Sequence, residues 1–374
     1  MVSRLLGKLE SRIAKARDPV EAACLRAERA SMLARQGQLD SARAELAALH
    51  ARHDRNPHVA VSAWVSLAEG MVYYFSGLNA SARDKMRRAL ALSTAAQLKP
   101  LRALSAAWLA HMDFGHHDFQ SMVRNIALSL QTAEANHHSA RSRATLVTAY
   151  AYHMAEKFDM AMPWYSLAHQ HASAEGDSAL LGALMHNMAI LHAVRARRMS
   201  FEGEVSPEQI RQAEIGTASI THFDRLIGAV SLTSLLPMQA QVLMLSARYA
   251  EARAIFDEHL QLVGSGGLVR TQSIILADTA WCRFQTGDSD GALRDARAAQ
   301  ARIGADTQVD DRAMTHSRLA QIHTALGNAD AAKHFTALAQ ADWQVYSARQ
   351  AELVLALNET LSPPPSDAGL PLPG

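Results

Sequence analysis

A small residue recurs about every 40 positions along this chain, at Ala30, Gly70, Ala110, Ala149, Ala189, Ala240, Ala280 and Ala320. A second follows twelve residues after most of them, at Ala42, Ala82, Ala161, Ala252, Ala292 and Ala332. Self-similarity at a period of about 20–50 residues restricts a chain to a stack of units, each burying its apolar face only against its neighbours. The pattern says far more about architecture than about activity.

Within a unit, the first small residue lies in a stretch of helical period, as in Trp64, Leu67, Met71, Tyr74 and Phe75. A turn follows, with Gly37 before Asp40, Gly77 before Asn79 and Gly287 before Asp288. Glycine suits the left-handed residue that closes one helix, and Asp or Asn can cap the next. The second helix carries the second small position and, four residues on, Leu46, Met86, Ile126, Tyr165 or Phe256. Small residues facing one another let antiparallel helices approach closely, and the large residue fills the gap to the next unit.

This unit resembles the tetratricopeptide repeat, whose signature has a small residue at position 8, an aromatic or Leu at 11, Gly at 15 and Ala at 20. Position 11 is Leu33, Tyr73, Tyr152 and Leu243, and position 15 is Gly37, Gly77, Gly287 and Gly327. The aromatic or Leu of position 17 is Leu39, Phe119, Phe158 and Tyr249. Three departures stand out. The period is 40 rather than the family's 34, Met122 replaces the second Ala of the third unit, and His117 and Glu156 stand where Gly belongs. Spread over roughly residues 23–340, the resemblance implies an all-α fold. Its form would be a right-handed α-α superhelix, a solenoid of about eight helix-turn-helix repeats with terminal capping helices. The long period is similar to that of tetratricopeptide-type regions in bacterial signalling proteins, such as transcriptional regulators of the maltose-activator type and sensors fused to cyclic-dinucleotide synthases.

Residues 1–17 read as an N-terminal capping helix, with Leu5, Leu6, Leu9 and Ile13 on one face. They hold no apolar run long enough for a secretory signal. Asp18-Pro19-Val20-Glu21 opens the repeat domain, residues 18–340, as a helix cap with Pro at the first helical position. The step from Ala189 to Ala240 is 51 residues, so an insertion is expected near 195–206. It reads as a surface loop whose Arg195, Arg197 and Arg198 offer contacts to an acidic partner, before Ser206-Pro207-Glu208-Gln209 caps a new helix. Gly264-Ser265-Gly266-Gly267 lacks the Gly-Lys-Ser/Thr of a phosphate loop and reads as a flexible inter-repeat turn. Residues 329–361 contain neither Gly nor Pro, which predicts a C-terminal helix extension over 341–361, followed by a disordered Pro-rich tail at 362–374.

With 37 Lys and Arg against 36 Asp and Glu, the net charge is +1, and no global field draws the chain to nucleic acid. No stretch reads as a membrane span. The two cysteines, Cys24 and Cys282, are expected as free thiols of a reducing compartment, which makes the protein cytoplasmic. Oligomeric state is left open.

Chemistry is sparse. There is no His-Glu-x-x-His, Cys-x-x-Cys, Gly-x-Ser-x-Gly or dinucleotide fingerprint, so no enzyme, cofactor or metal is expected. Among 18 histidines, His50 and His53 have the spacing to share a metal, but solvated imidazoles are the simpler reading. The concave face is the stronger lead. In tetratricopeptide arrays the first helices line it. Carried over residue by residue, its positions give Trp64, Met71, Tyr74 and Phe75 in the second repeat, then His111 and Phe114 in the third. The fourth gives Arg143, Tyr150, His153 and Met154, the fifth His186, and the seventh Trp281 and Phe284. Such a face, aromatic and almost without charge, suits an apolar or amphipathic peptide or helix. The expected function is a protein-interaction scaffold with a protein or peptide partner. The alternative is a ligand-sensing module that passes groove closure along the C-terminal helix to a separate output protein.

Overall fold

The computed structural model describes residues 4–77, 79–203, 205–227, 232–263, 271–304 and 307–362. The glycine-rich turn at 264–267 and the tail from residue 363 lie outside them. Seventeen helices and no strand occur among the described residues. After α1 (Arg4–Lys15) come eight successive helix pairs. The first four are α2 and α3 (Pro19–Arg35, Leu39–His53), α4 and α5 (Val59–Phe75, Asn79–Ala95), α6 and α7 (Lys99–Gly115, Phe119–Thr132), and α8 and α9 (His138–Met154, Phe158–Glu175). The last four are α10 and α11 (Ser178–Glu202, Pro207–Ile227), α12 and α13 (Leu232–Leu245, Tyr249–Val263), α14 and α15 (Gln272–Gln285, Ser289–Ala301), and α16 and α17 (Val309–Ala325, Ala329–Thr360). The fold is the all-α helical repeat of tetratricopeptide type.

The chain forms two compact units, Met1–Leu184 with Ile227–Ala229 and Glu352–Gly374, and Met185–Leu226 with Val230–Ala351. In the first, α2 packs on α4 and α6 on α8, and each first helix also lies against its own second helix. In the second, α12, α14 and α16 follow the same scheme with α13 and α15. The register explains why. Ala30, Ala110, Ala149, Ala240 and Ala280 are fully buried, as are Ala42, Ala82, Ala252 and Ala292. At Gly70 a Cβ would sit 3.1 Å from Met86 Cε and 3.3 Å from the Ala82 carbonyl, so the smallest residue marks the closest approach of α4 and α5. Met86, Ile126, Tyr165 and Phe256, the large residues of the second helices, are completely enclosed.

The turns share one geometry whatever residue occupies them. Gly37, Gly77, Gly287 and Gly327 have φ between 75° and 86°, and His117, Glu156 and Ala247 take the same left-handed conformation at φ 55–58°. Wherever the residue after such a turn is described, it donates back to the helix, as Gln38 N to the Leu33 carbonyl (2.9 Å), Lys157 N to Tyr152 (2.9 Å) and Arg248 N to Leu243 (3.0 Å). Asp18 caps α2 by accepting from Val20 N and Glu21 N, and Ser206 and Gln209 exchange the two bonds of a capping box.

One expectation is corrected. The extra residues near 195–206 do not emerge as a loop but lengthen α10 to 25 residues. Ala189, Ala193 and Ala196 line up along it against Ala213 and Ile220 of α11, and Gly216 comes so near that a Cβ there would lie 2.9 Å from that of Ala189. Arg197 points inward, not to a partner, and pairs with Asp278 of α14 at 2.6 Å. By length and composition Ser178–Phe201 of α10 also passes as a membrane span, where no stretch is expected to. Its alanines and Arg197 are spent on packing within the helical array. Cys24 is half-buried and Cys282 buried, both as free thiols, and burial pushes them up to about 11 and about 12.

Candidate functional site

The C-terminal halves of α4, α6 and α8 bring an aromatic cluster together in the first unit. Tyr74 meets Phe75, Trp108 and His111 edge-on at centroid distances of 5.2, 6.2 and 5.4 Å. Its hydroxyl lies 2.7 Å from His111 Nε2. Burial, then the nearby Arg143 charge, hold His111 down at about 3, so near neutral pH the ring is neutral and Nε2 accepts from the phenol. Next along, Phe114 packs edge-on against Tyr150 at 5.3 Å. Phe75 keeps 38% of its surface, and Tyr74, His111, Phe114 and Tyr150 are half-buried, so these rings form a partly open face.

The face also carries charge, through Arg143, which the sequence places there, and through Arg35. Arg143 is 8% exposed and stacks its guanidinium on Trp108, Cζ 4.0 Å from the ring centroid. Arg35, from the end of α2, lies over the same ring at 5.8 Å and pairs with Asp177 at 2.5 Å. Asp177 also caps α10 through Leu180 N (3.0 Å), and Arg35 holds its carboxyl below the usual range. Arg143 has no such partner among the described residues. Its Nε is sealed from solvent without an acceptor. Burial and then Arg35 bring its pKa down to about 9, which still leaves it charged at neutral pH.

Of the residues expected on the concave face, Tyr74, Phe75, His111, Phe114 and Tyr150 come together in this way. Trp64 and Met154 are half-buried on α4 and α8. Two belong to the helix interior instead. Met71 is fully enclosed in the core cluster with Met86 and Leu101, and His153 is 5% exposed between α8 and α9, 3.1 Å from the Tyr165 hydroxyl and edge-on to Phe158. His186, Trp281 and Phe284 lie in the second unit, half-buried, with the last two rings stacked at 5.8 Å. Trp108 was missed. It stands outside the positions carried over from the family, and no sequence signal sets it apart.

In the second unit a different charge cluster fills the corresponding helices. Asp278, fully buried on α14, accepts from Arg197 Nη2 (2.6 Å), Arg318 Nε (3.0 Å) and Gln241 Nε2 (3.2 Å). Arg318 also lies over Phe201 at 4.7 Å and Trp281 at 5.6 Å. Elsewhere, His50 engages both ring nitrogens, with Asp54 (3.0 Å) and Glu69 (3.2 Å), and so turns neither toward His53. Among the described residues no group of three or more His, Cys, Asp or Glu side chains has the geometry to hold a metal.

These features define a helical repeat protein with an aromatic, positively charged face. A Rap protein solved in complex with competence and sporulation factor superposes with a TM-score of 0.57 at 10% identity, covering 92% of each chain. A tetratricopeptide repeat protein from Parabacteroides merdae aligns with a TM-score of 0.39 at 12% identity, over 80% of this chain and 99% of that one. The likeness to the Rap protein is one of fold. No family model matches the chain, and neither does any curated protein.

Proposed function

We propose that this protein is a non-enzymatic interaction scaffold that binds an apolar or amphipathic peptide or helix on the face formed by α4, α6 and α8, in cytoplasmic signalling or regulation of bacterial type. The observation that carries the reading is the run of partly open rings, Tyr74, Phe75, Phe114 and Tyr150, on three consecutive first helices. Aromatic anchors concentrate binding energy because they bury large rigid surfaces at little entropic loss. The similar Rap protein, seen with competence and sporulation factor, lends support by analogy.

The test compares the wild-type chain with Phe75→Ala and Phe114→Ala in capture from the native cell, with the captured protein identified and its binding segment rebuilt as a peptide. Loss of an anchor is expected to weaken that peptide about thirtyfold. Unchanged affinity in both variants refutes the reading. The sensing alternative has one observation of its own: the Tyr152 hydroxyl of α8 donates to Asn358 Oδ1 near the end of α17 at 2.9 Å. If α17 transmits occupancy, Asn358→Leu changes the affinity of the same peptide. If it does not, affinity is unaltered.

A further inference from the structure

Arg143 is a buried cation that the fold leaves without a hydrogen-bonded carboxylate. The group is 8% exposed, its Nε has no acceptor, and its guanidinium makes neither a hydrogen bond nor an ion pair with any described residue. A buried charge is costly unless paired and hydrogen-bonded, and stacking on one indole replaces only part of the lost hydration. Asp177 acts on Arg143 only through space, because Arg35 and the α10 cap already take its hydrogen bonds. With Arg35 and Asp177 cancelling and His111 neutral, the cluster carries one positive charge in excess.

We propose that Arg143 is the anchor for a single carboxylate carried by an otherwise apolar peptide segment, held with its flanking groups against the partly open Tyr74 and Phe75 rings, while Trp108 stays beneath the guanidinium in the core. This rests on the binding face proposed above and names what that face selects. One excess charge matches one carboxylate, and a guanidinium presents its donors in a planar fork suited to that group. A phosphate dianion would leave a negative charge uncompensated in the same enclosed place.

The test uses the full chain and two small probes that differ only in charge, phenylacetate and its neutral amide phenylacetamide, titrated at constant ionic strength. Binding is followed by tryptophan fluorescence and melting temperature. The acid is expected to bind about tenfold to a hundredfold more tightly than the amide, the range of one charge-assisted hydrogen bond in a desolvated site. Arg143→Met should abolish the difference while melting at or above the wild-type temperature, because it removes an unpaired buried charge. Arg143→Lys should keep a smaller preference for the acid. Equal binding of acid and amide leaves an apolar face but overturns the carboxylate anchor. Binding of neither overturns the anchor together with the face. A preference that persists in Arg143→Met, or a marked fall in that variant's melting temperature, also overturns it, the latter because the guanidinium would then be part of the packing. Inorganic phosphate should act no differently from chloride, and a specific phosphate response mapped to Arg143 counts against the proposal.

Discussion

In the second unit, Arg197 and Arg318 meet on Asp278, which is fully buried and holds both guanidinium groups. In the first unit, Arg143 is buried to a similar degree and meets only the face of Trp108. The same residue type at similar depth therefore does different work. A buried cation with its own carboxylate ties helices together: here Arg197 of α10, Asp278 of α14 and Arg318 of α16. A buried cation without one is the observation on which the proposed carboxylate anchor rests. The comparison separates architecture from function inside a single repeat fold.

The largest effect should come from removing the shared carboxylate. Asp278→Ala strips two enclosed guanidinium groups of the carboxylate they hydrogen-bond, and breaking a buried pair in this way costs about 3–5 kcal/mol. Denaturant unfolding of the full chain should show that loss, with the amides of α14 and α16 losing protection in hydrogen exchange. Arg143→Met, by contrast, should leave unfolding free energy unchanged or raised. If Asp278→Ala costs no more than Arg143→Met, the contrast between the two clusters is wrong.

Much of this fold is legible in the sequence, for a reason that particular residues make plain. Ala149 and Ala280 are small because two helices touch there, and that demand repeats with the unit, so spacing alone reveals it. The length of α10 escaped because its added residues continue the helix and move the small contact of α11 to Gly216, outside the twelve-residue rule. Position on one helix sets a direction but not what covers it. Met71 and His153 point toward expected groove positions, yet Met86 and Tyr165 of the second helices enclose them. Arg143 could be placed on the face from sequence, whereas its lack of a carboxylate depends on where Arg35 holds Asp177, 142 residues along the chain.

A second, smaller effect sharpens the comparison through pH. His111 is held down at about 3 by burial and Arg143, below its unfolded value, so the unfolded chain binds the extra proton first and stability is lost as pH falls below about 6.5. By about pH 5 that loss has a ceiling of about 2 kcal/mol, and less where solvent reaches the ring. Asp311 of the second unit has the opposite sign. Burial, with Asp310 and Asp278 adding to it against Arg197, raises Asp311 to about 7. Its folded form keeps the proton that the unfolded chain releases near its ordinary value, so this contribution is lost as pH rises toward 7. Hydrogen exchange, corrected for intrinsic rates, should show α6 less protected at about pH 5 than at about pH 7, whereas on α16 Asp311 acts against His316 and His323, which burial lowers. His111→Gln should flatten the α6 response, and Asp311→Asn should make the α16 response to acid less favourable than in the wild type. An α6 response unchanged in His111→Gln would rule out His111, and an α16 response identical in Asp311→Asn and wild type would rule out Asp311.

The smallest effect lies in the turns, where the second unit offers a matched pair. Ala247 and Gly287 both close a first helix in the left-handed conformation, at φ 55° and 86°, with equivalent back-bonds from Arg248 N to Leu243 and from Asp288 N to Arg283. For a residue with a Cβ that conformation costs about 1–2 kcal/mol. Glycine avoids this strain but loses about 0.5–1 kcal/mol more backbone entropy on folding. Ala247→Gly should therefore stabilise the chain by about 0.5–1 kcal/mol, the difference between the two terms. At Gly287 a Cβ would meet nothing within 4 Å, so Gly287→Ala tests the backbone alone and should lose a similar amount. Calorimetry on both variants decides the matter. Shifts of opposite sign and similar size mean that backbone geometry governs these turns whatever residue fills them. A loss of stability in Ala247→Gly would mean that the alanine there is relaxed, and that the two turns, alike in their hydrogen bonds, differ in strain.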